Sequence, residues 1–137
     1  MEVSTHSTKE TKRLAEQIAK GLKPGDVLAL YGELGSGKTT FTNFLVKALG
    51  IFDRVFSPTF VIARKYGGKI NHIDLYRLTT KKEVLDTGFE ELLTDRDSIN
   101  IIEWPELVED LLPAHTIKIK FEEIGENSRK IYVQNLH

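Results

Sequence analysis

Residues 27–39 read VLALYGELGSGKT, an apolar run that leads directly into a glycine-rich loop. A short continuous apolar run is typical of a strand that is buried on both faces. The loop, Gly32–Thr39, matches the pattern G-x-x-x-x-G-K-[ST] at every defined position. The next ten residues place Phe41, Phe44 and Leu45 on one face of a predicted helix. Strand, glycine loop and helix in this order predict a site that holds the phosphates of a nucleotide.

The residue types of the loop each have a physical task. Glycines let the backbone turn tightly and aim successive N–H groups at phosphate oxygens, and the following helix directs its N-terminal dipole at the same anion. Lys38 supplies a mobile positive charge, and the Thr39 hydroxyl can ligate Mg²⁺. We therefore expect a nucleoside triphosphate and Mg²⁺ to bind here. The predicted contacts come from the loop and the first helical residues: Glu33, Leu34, Gly35, Ser36, Gly37, Lys38, Thr39 and Thr40.

Strand-like and helix-like segments alternate along the rest of the chain. Apolar periodicity predicts helices over 8–22 and 81–93, a hairpin of 60–66 and 69–74 around Gly67-Gly68, and strands at 98–102, 116–121 and 129–133. This alternation predicts an α/β, three-layer, P-loop NTPase-like domain with a central mostly parallel sheet and antiparallel edge strands. The length predicts one domain over residues 1–137. Whether the first helix packs on the sheet or near the nucleotide base stays open.

Composition excludes several kinds of protein. The chain has 137 residues, 40% of them hydrophobic, and a net charge of −1, so it lacks the basic excess of a protein that grips nucleic acid alone. We expect no DNA binding, and any contact with RNA would need a local basic patch or a partner protein. The absence of cysteine excludes disulfides and thiolate metal sites. No basic stretch followed by an apolar run is visible, and no apolar run could span a bilayer, which predicts a cytoplasmic protein without membrane attachment.

Two acidic residues follow predicted strands. Asp74 comes after the run 70–73, and Glu103 comes after the run 99–102. A carboxylate at the carboxyl end of a strand faces the crevice where α/β proteins bind ligands, and Mg²⁺ in such sites needs an acidic partner besides the loop hydroxyl. Thr39, Asp74 and Glu103 are therefore the candidate metal ligands. Either acid could instead be a solvated turn residue, and the sequence does not decide which of them touches the metal.

Three further residues are harder to interpret. A hydroxyl in Ser57-Pro58-Thr59 could sense the terminal phosphate, although such a tripeptide is also an ordinary turn. Trp104, the only tryptophan, is next to Glu103 and is usually a packing residue in such a position. His72 alternates with Ile73, and we interpret it as structural.

Four motifs appear in a fixed order: GELGSGKTT at 32–40, SPTF at 57–60, HIDLYRL at 72–78 and IEWPE at 102–106. In this arrangement the chain resembles the bacterial TsaE family, also called YjeE. The resemblance also takes in Thr11, Gly88-Phe89 and Leu112-Pro113, and so covers nearly the whole chain. The glycine loop is generic, whereas the other three motifs together are specific.

The resemblance implies an ATPase that supports threonylcarbamoylation of tRNA adenosine 37 together with TsaB and TsaD. Because the chain has a net charge of −1 and no apparent second substrate pocket, we expect it to be slow alone and activated by these partners. It implies catalytic roles for Lys38, Thr59 as a switch threonine, Asp74 as the Walker B acid, and Glu103 as an acid on the Mg²⁺ side that helps to orient water. Thr11, Trp104 and Arg129 are implied as nucleotide contacts. tRNA would be reached only indirectly, through the complex.

Three other classes share the loop. A small-molecule kinase needs a second cavity and an arginine-rich lid, but the chain has only Arg77 and Arg96 between Asp74 and Glu103. A GTPase would carry an Asn-Lys-x-Asp segment, which the sequence lacks. A nucleotide-dependent adaptor that does not hydrolyse its ligand is the hardest class to distinguish from an ATPase by sequence.

Overall fold

One mixed sheet organises the chain in a computed structural model that describes residues 1–33, 35–52 and 63–136. Within these ranges the strands are β1 (Glu2–Thr5), β2 (Val27–Tyr31), β3 (Ala63–Tyr66), β4 (Ile70–Asp74), β5 (Ile99–Glu103), β6 (Ile117–Glu123) and β7 (Arg129–Gln134). Their order across the sheet is β1-β7-β6-β2-β5-β4-β3.

The centre of the sheet is parallel. Strands β6, β2, β5 and β4 pair in parallel, whereas β3 lies antiparallel on β4, β7 on β6 and β1 on β7. The predicted α/β fold with a parallel centre and antiparallel edges is confirmed. The antiparallel part is larger than predicted, because β1 was not predicted and adds a strand beyond β7. Parallel and antiparallel pairs are therefore equal in number among the described strands.

Helices lie on both faces of the sheet. On one face, α1 (Thr8–Ala19) and α2 (Lys38–Ala48) share a core with alternate residues of β2 and β5, such as Leu28 and Ile101. On the other face, α3 (Lys81–Leu85), α4 (Phe89–Leu93) and a 3₁₀ segment (Pro105–Leu111) cover Val27, Ile73 and Ile102. The first helix therefore packs against α2 and the sheet, which answers the question that the sequence left open.

Glycines account for two local details. Gly67 and Gly68 have φ values of 56° and 67°, so the predicted hairpin closes with the left-handed pair that such turns require. The prediction of one helix over 81–93 is wrong, because Gly88 at φ 85° interrupts it and caps a second helix. Residues 60–62 of the predicted hairpin lie outside the described part of the chain.

No helix among the described residues has the length and apolar content to cross a membrane.

Candidate active site

The glycine loop lies between the end of β2 and the start of α2. Gly32 and Gly37 have φ values of 150° and 103°, and a side chain at either would meet its surroundings. A Cβ at Gly32 would lie 2.9 Å from the Phe121 carbonyl oxygen, and one at Gly37 would lie 2.8 Å from Nε of Arg129. Only glycine satisfies both the backbone angle and the space at these two positions. Leu34 lies outside the described residues.

Lys38 begins α2 and turns back over the loop. The residue is only 5% exposed, its Nζ donates to the carbonyl oxygen of Gly32 at 2.5 Å, and Nζ lies 3.7 Å from the centre of the Trp104 ring. Burial lowers the pKa of Lys38, and the negative charges of Glu103 and Asp74 oppose that shift. An ammonium group has three N–H donors, so the bond to Gly32 leaves donors for an anion in the loop.

Asp74 and Glu103 lie side by side across the crevice from this lysine. They are register partners at the ends of β4 and β5, and Glu103 is also the register partner of Leu30 near the end of β2. The Asp74 carboxylate accepts the N–H of Tyr76 at 3.0 Å. Burial raises the pKa of Asp74; the Tyr76 N–H opposes this shift, and the charge of Glu103 adds to it. Two neighbouring carboxylates in a half-enclosed place favour a bound cation.

Glu103 has a buried partner that sequence reasoning did not connect to the site. His72 is fully buried, and its Nε2 contacts Oε2 of Glu103; on its other side the Tyr66 hydroxyl lies 3.4 Å from Nδ1. The burial agrees with a structural histidine, but the contact reaches a predicted catalytic residue. A signal was present, since His72 lies two residues before Asp74 and alternate strand residues share a face.

Trp104 forms a wall of the crevice. Its backbone has a φ of 58°, which is uncommon for a residue with a side chain, and its ring lies 5.0 Å from that of Tyr76 and over Lys38. A left-handed backbone costs about 1–2 kcal/mol outside glycine, so the surrounding contacts determine this conformation. Trp104, which follows Glu103 in the sequence, therefore also contacts Lys38 of the glycine loop.

Arg129 reaches the loop from β7, whereas Thr11 lies in α1 and contacts β1, the strand beyond β7. Nε of Arg129 donates to the Ser36 carbonyl oxygen at 2.7 Å, which ties the loop to the far part of the sheet. The Thr11 hydroxyl contacts Oγ1 of Thr5 at 3.0 Å, and Thr5 is the register partner of Arg129. Thr11 thus fixes the start of α1 to the strand next to Arg129.

The residues fit a phosphate group and a magnesium ion. Ser36 Oγ is buried without a hydrogen-bond partner in the part of the chain that the structure describes, which suits a ligand oxygen. No cluster of three or more acidic, histidine or cysteine residues that could hold a metal occurs among the described residues. Mg²⁺ does not require such a cluster, because it is commonly held by one or two carboxylates, waters and phosphate oxygens. Thr39, which is half-buried, and the two acids would be its protein ligands.

Most predicted site residues thus meet around one crevice. The structure brings Gly32, Ser36, Gly37 and Lys38 together with Asp74, Glu103, Trp104 and Arg129. Glu33, Gly35 and Thr40 are exposed at the loop and the helix start. Thr59, with the Ser57–Phe60 motif around it, lies outside the described residues.

Comparisons with known proteins agree on one family. A family model described as threonylcarbamoyl adenosine biosynthesis protein TsaE matches residues 5–131. The chain is 38% identical over 130 residues to the tRNA threonylcarbamoyladenosine biosynthesis protein TsaE of Bacillus subtilis (strain 168), covering 93% of this chain and 80% of that protein. The protein of the same name from Aquifex aeolicus (strain VF5) is 39% identical over 137 residues, covering 96% and 94%.

A solved structure shows the same architecture. The crystal structure of YdiB from Bacillus subtilis superposes with a TM-score of 0.81 at 32% sequence identity, covering 100% of this chain and 86% of that one. At this identity and coverage the two chains share their fold.

Proposed function

Because the chain belongs to the TsaE family of threonylcarbamoyl adenosine biosynthesis proteins, we propose that it binds ATP with Mg²⁺ at Gly32–Thr39 and hydrolyses it in the cytoplasm. Hydrolysis would support threonylcarbamoylation of tRNA adenosine 37 together with TsaB and TsaD. The observation that carries the proposal is the burial of Lys38 within a glycine loop, opposite the adjacent carboxylates of Asp74 and Glu103.

The loop residues would bind the phosphates. In the structure Lys38 Nζ is held by the Gly32 carbonyl and the Trp104 ring, so it is already placed over the loop. On ATP binding its donors would turn to the β- and γ-phosphates, and the unpartnered Ser36 Oγ and the loop N–H groups would add hydrogen bonds. Arg129 would act on the loop itself, because its bond to the Ser36 carbonyl holds the backbone in place.

Asp74 and Glu103 would bind Mg²⁺, and Glu103 would also orient the attacking water. Mg²⁺, when bound, neutralises charge on the phosphates, and Thr39, Asp74 and Glu103 are the residues that would hold it. Glu103 lies at the strand end nearest the loop and would accept a hydrogen bond from the attacking water. Thr59, outside the described residues, is proposed as the switch threonine that senses the γ-phosphate.

The dependence on partners follows from charge. A net charge of −1 gives this chain little attraction for tRNA, so the modification of an adenosine requires proteins that bind the tRNA and transfer the group. We therefore propose low ATPase activity for the isolated chain and higher activity when TsaB and TsaD are present.

The test combines hydrolysis with tRNA modification. ATP hydrolysis is measured with and without TsaB and TsaD, and tRNA threonylcarbamoylation is followed over repeated turnovers with wild type and Lys38→Ala. Lys118→Ala is the matched control, since Lys118 is a half-buried lysine outside the crevice that pairs with Glu109. We expect TsaB and TsaD to stimulate ATP hydrolysis by wild type and by Lys118→Ala. Repeated turnovers of tRNA modification should be lost in Lys38→Ala and kept in the other two proteins. Equal hydrolysis rates with and without the partners, together with full modification by Lys38→Ala, would contradict the proposal. Sustained modification with a non-hydrolysable ATP analogue would instead favour the adaptor.

A further inference from the structure

The buried face of β3, β4 and β5 contains a chain of three polar side chains. Tyr66, His72 and Glu103 are exposed by only 4%, 0% and 3%. The Tyr66 hydroxyl lies 3.4 Å from Nδ1 of His72, and Nε2 of His72 contacts Oε2 of Glu103. These three contacting side chains thus extend from the interior of the sheet to the strand end that faces the loop.

This arrangement is expensive for the fold alone. Polar groups taken out of water cost free energy unless they are hydrogen-bonded, and apolar residues of similar volume often serve stability as well as a buried charged pair does. Strand neighbours on the same face are apolar, for example Ile70 and Ile101, and both are fully buried. The packing of this face therefore does not by itself call for a histidine at position 72.

Glu103 acts on two nitrogen-bearing side chains, those of Lys38 and His72. The negative charges of Glu103 and Asp74 act on Lys38, yet among the described residues no ion pair joins Lys38 to either carboxylate. The contact that Glu103 makes instead is with His72. A direct Lys38–Glu103 pair would occupy both the phosphate-binding cation and the carboxylate, so the histidine contact keeps the two groups apart.

We propose that His72 is a positioning residue: its Nε2–H holds Glu103 Oε2 at the mouth of the crevice, away from Lys38, in the orientation that hydrolysis of ATP requires. This inference rests on the proposed function. With Nε2–H donating to the carboxylate, Nδ1 accepts from the Tyr66 hydroxyl, so Tyr66 selects the ring tautomer that can hold Glu103. One bond to His72 leaves Glu103 with lone pairs for a water or for Mg²⁺.

Two amide substitutions separate the proposed role from packing. The side-chain nitrogen of glutamine reaches about as far from the backbone as Nε2, whereas that of asparagine reaches about as far as Nδ1. His72→Gln therefore keeps a donor near Glu103, and His72→Asn removes it. We expect His72→Gln to retain most of the single-turnover rate of ATP hydrolysis by the full chain. His72→Asn should lose about 10–100-fold, the range seen when residues that orient a catalytic group are removed, with the nucleotide dissociation constant nearly unchanged.

A buried pair on the same two strands is the control. Asn71 Nδ2 donates to Oδ1 of Asn100 at 3.0 Å, one residue before His72 on β4. Asn71→Ala should lower the melting temperature and leave the hydrolysis rate unchanged, because this pair does not reach the crevice. Equal loss of rate in Asn71→Ala and His72→Asn would overturn the proposal and leave a structural role.

A double-mutant cycle identifies Glu103 as the group that His72 acts through. In a Glu103→Ala background, His72→Asn should cause no further loss of rate, because coupled residues are not additive. If the fold-loss of rate in the double variant equals the product of the losses in the two single variants, the residues act independently and the proposal is overturned. If His72→Asn does not fold, Tyr66→Phe replaces it: we expect a several-fold loss that disappears in Glu103→Ala, and a wild-type rate in Tyr66→Phe would overturn the proposal.

The outcome for wild type distinguishes the two levels of inference. If wild type hydrolyses no ATP, alone or with TsaB and TsaD, the proposed function fails and the role of His72 fails with it. If wild type hydrolyses ATP and His72→Asn does so at the same rate, only the role of His72 fails.

Discussion

Two regions of the molecule combine a lysine, acids and aromatic rings but differ in burial. The loop crevice (Lys38, Asp74, Glu103 and Trp104) has a lysine and a glutamate that are 5% and 3% exposed and do not pair with each other. The other region, here called the β6–β7 face, comprises Tyr31, Glu109, Lys118, Glu122 and Tyr132. There Glu109 accepts from Tyr31 and, at 3.3 Å, from Lys118, and the side chains of Lys118 and Glu109 are 36% and 50% exposed.

The difference shows which charges are informative about function. Exposed ion pairs contribute little to stability and are common on any surface, so the β6–β7 face needs no ligand to explain it. Buried charges cost free energy, and a buried lysine such as Lys38, which makes no ion pair among the described residues, persists where a ligand completes it. The loop crevice is of this second kind, and substitutions matched between the two regions test the contrast.

The largest expected difference between the two regions is in nucleotide-induced stabilisation, compared after removal of Lys38 or of Lys118. At about one hundred times its dissociation constant, Mg-ATP adds roughly 2.7 kcal/mol of stability, which for a chain of this size raises the melting temperature by roughly 8–14 °C. Lys38→Ala should abolish most of this shift, and Lys118→Ala should leave it intact. Thermal unfolding with and without Mg-ATP measures both. A full shift in Lys38→Ala would remove the loop crevice as the nucleotide site.

Removal of each glutamate should separate hydrolysis from binding. Glu103→Ala should lower the hydrolysis rate by about 100-fold or more while affinity changes much less, because water and metal positioning act mainly as charge develops in the transition state. Asp74→Ala and Thr59→Ala should behave similarly, and Glu109→Ala should match wild type. Steady-state hydrolysis together with nucleotide titration distinguishes these outcomes. Wild-type turnover in Glu103→Ala would place the chemistry elsewhere.

Arg129 extends the comparison to two basic residues of one strand. The Arg129 bond to the Ser36 carbonyl is charge-assisted, and its loss should weaken ATP binding by about tenfold, corresponding to roughly 1.4 kcal/mol. Lys130 on the same strand pairs with Glu2 at the surface, so Lys130→Ala should bind as wild type does. Calorimetric titration measures both affinities. Equal affinities in the two variants would mean that Arg129 does not support the loop.

The smallest expected effect is optical. Trp104 is the only tryptophan, and its ring lies 3.7 Å from Lys38 Nζ. When Lys38 turns to the phosphates, this cation–π contact, typically worth about 0.5–2 kcal/mol, changes, and the fluorescence of Trp104 should change with it. Titration with Mg-ATP should give a saturable signal in wild type and none in Lys38→Ala. An equal signal in Lys38→Ala would show that Trp104 reports on something other than this lysine.

The sequence by itself determined the parts that are local. The glycine loop, the buried strand before it and the helix after it are consecutive residues, so their pattern specifies backbone angles without knowledge of the rest of the chain. Gly67-Gly68 specified the hairpin for the same reason. Asp74 and Glu103 were recognisable as strand-end acids because each follows its own predicted strand. The assignment of the whole chain to 1–137 as one domain stays a prediction.

Only the tertiary structure decided which of these parts meet. The parallel register of β4 and β5 places Asp74 beside Glu103, and the contact of Arg129 with Ser36 spans 93 positions of the chain. Neither spacing nor periodicity encodes such pairings, because strand order and register are set by the burial of whole faces. The contact of His72 with Glu103 follows from that register, and Trp104 lies near Lys38 because β5 also pairs with β2, the strand that leads into the loop. Local sequence motifs therefore identify the chemical groups of the site, because each group is a property of its own side chain. The distances between these groups depend on the order and register of the strands in the folded sheet.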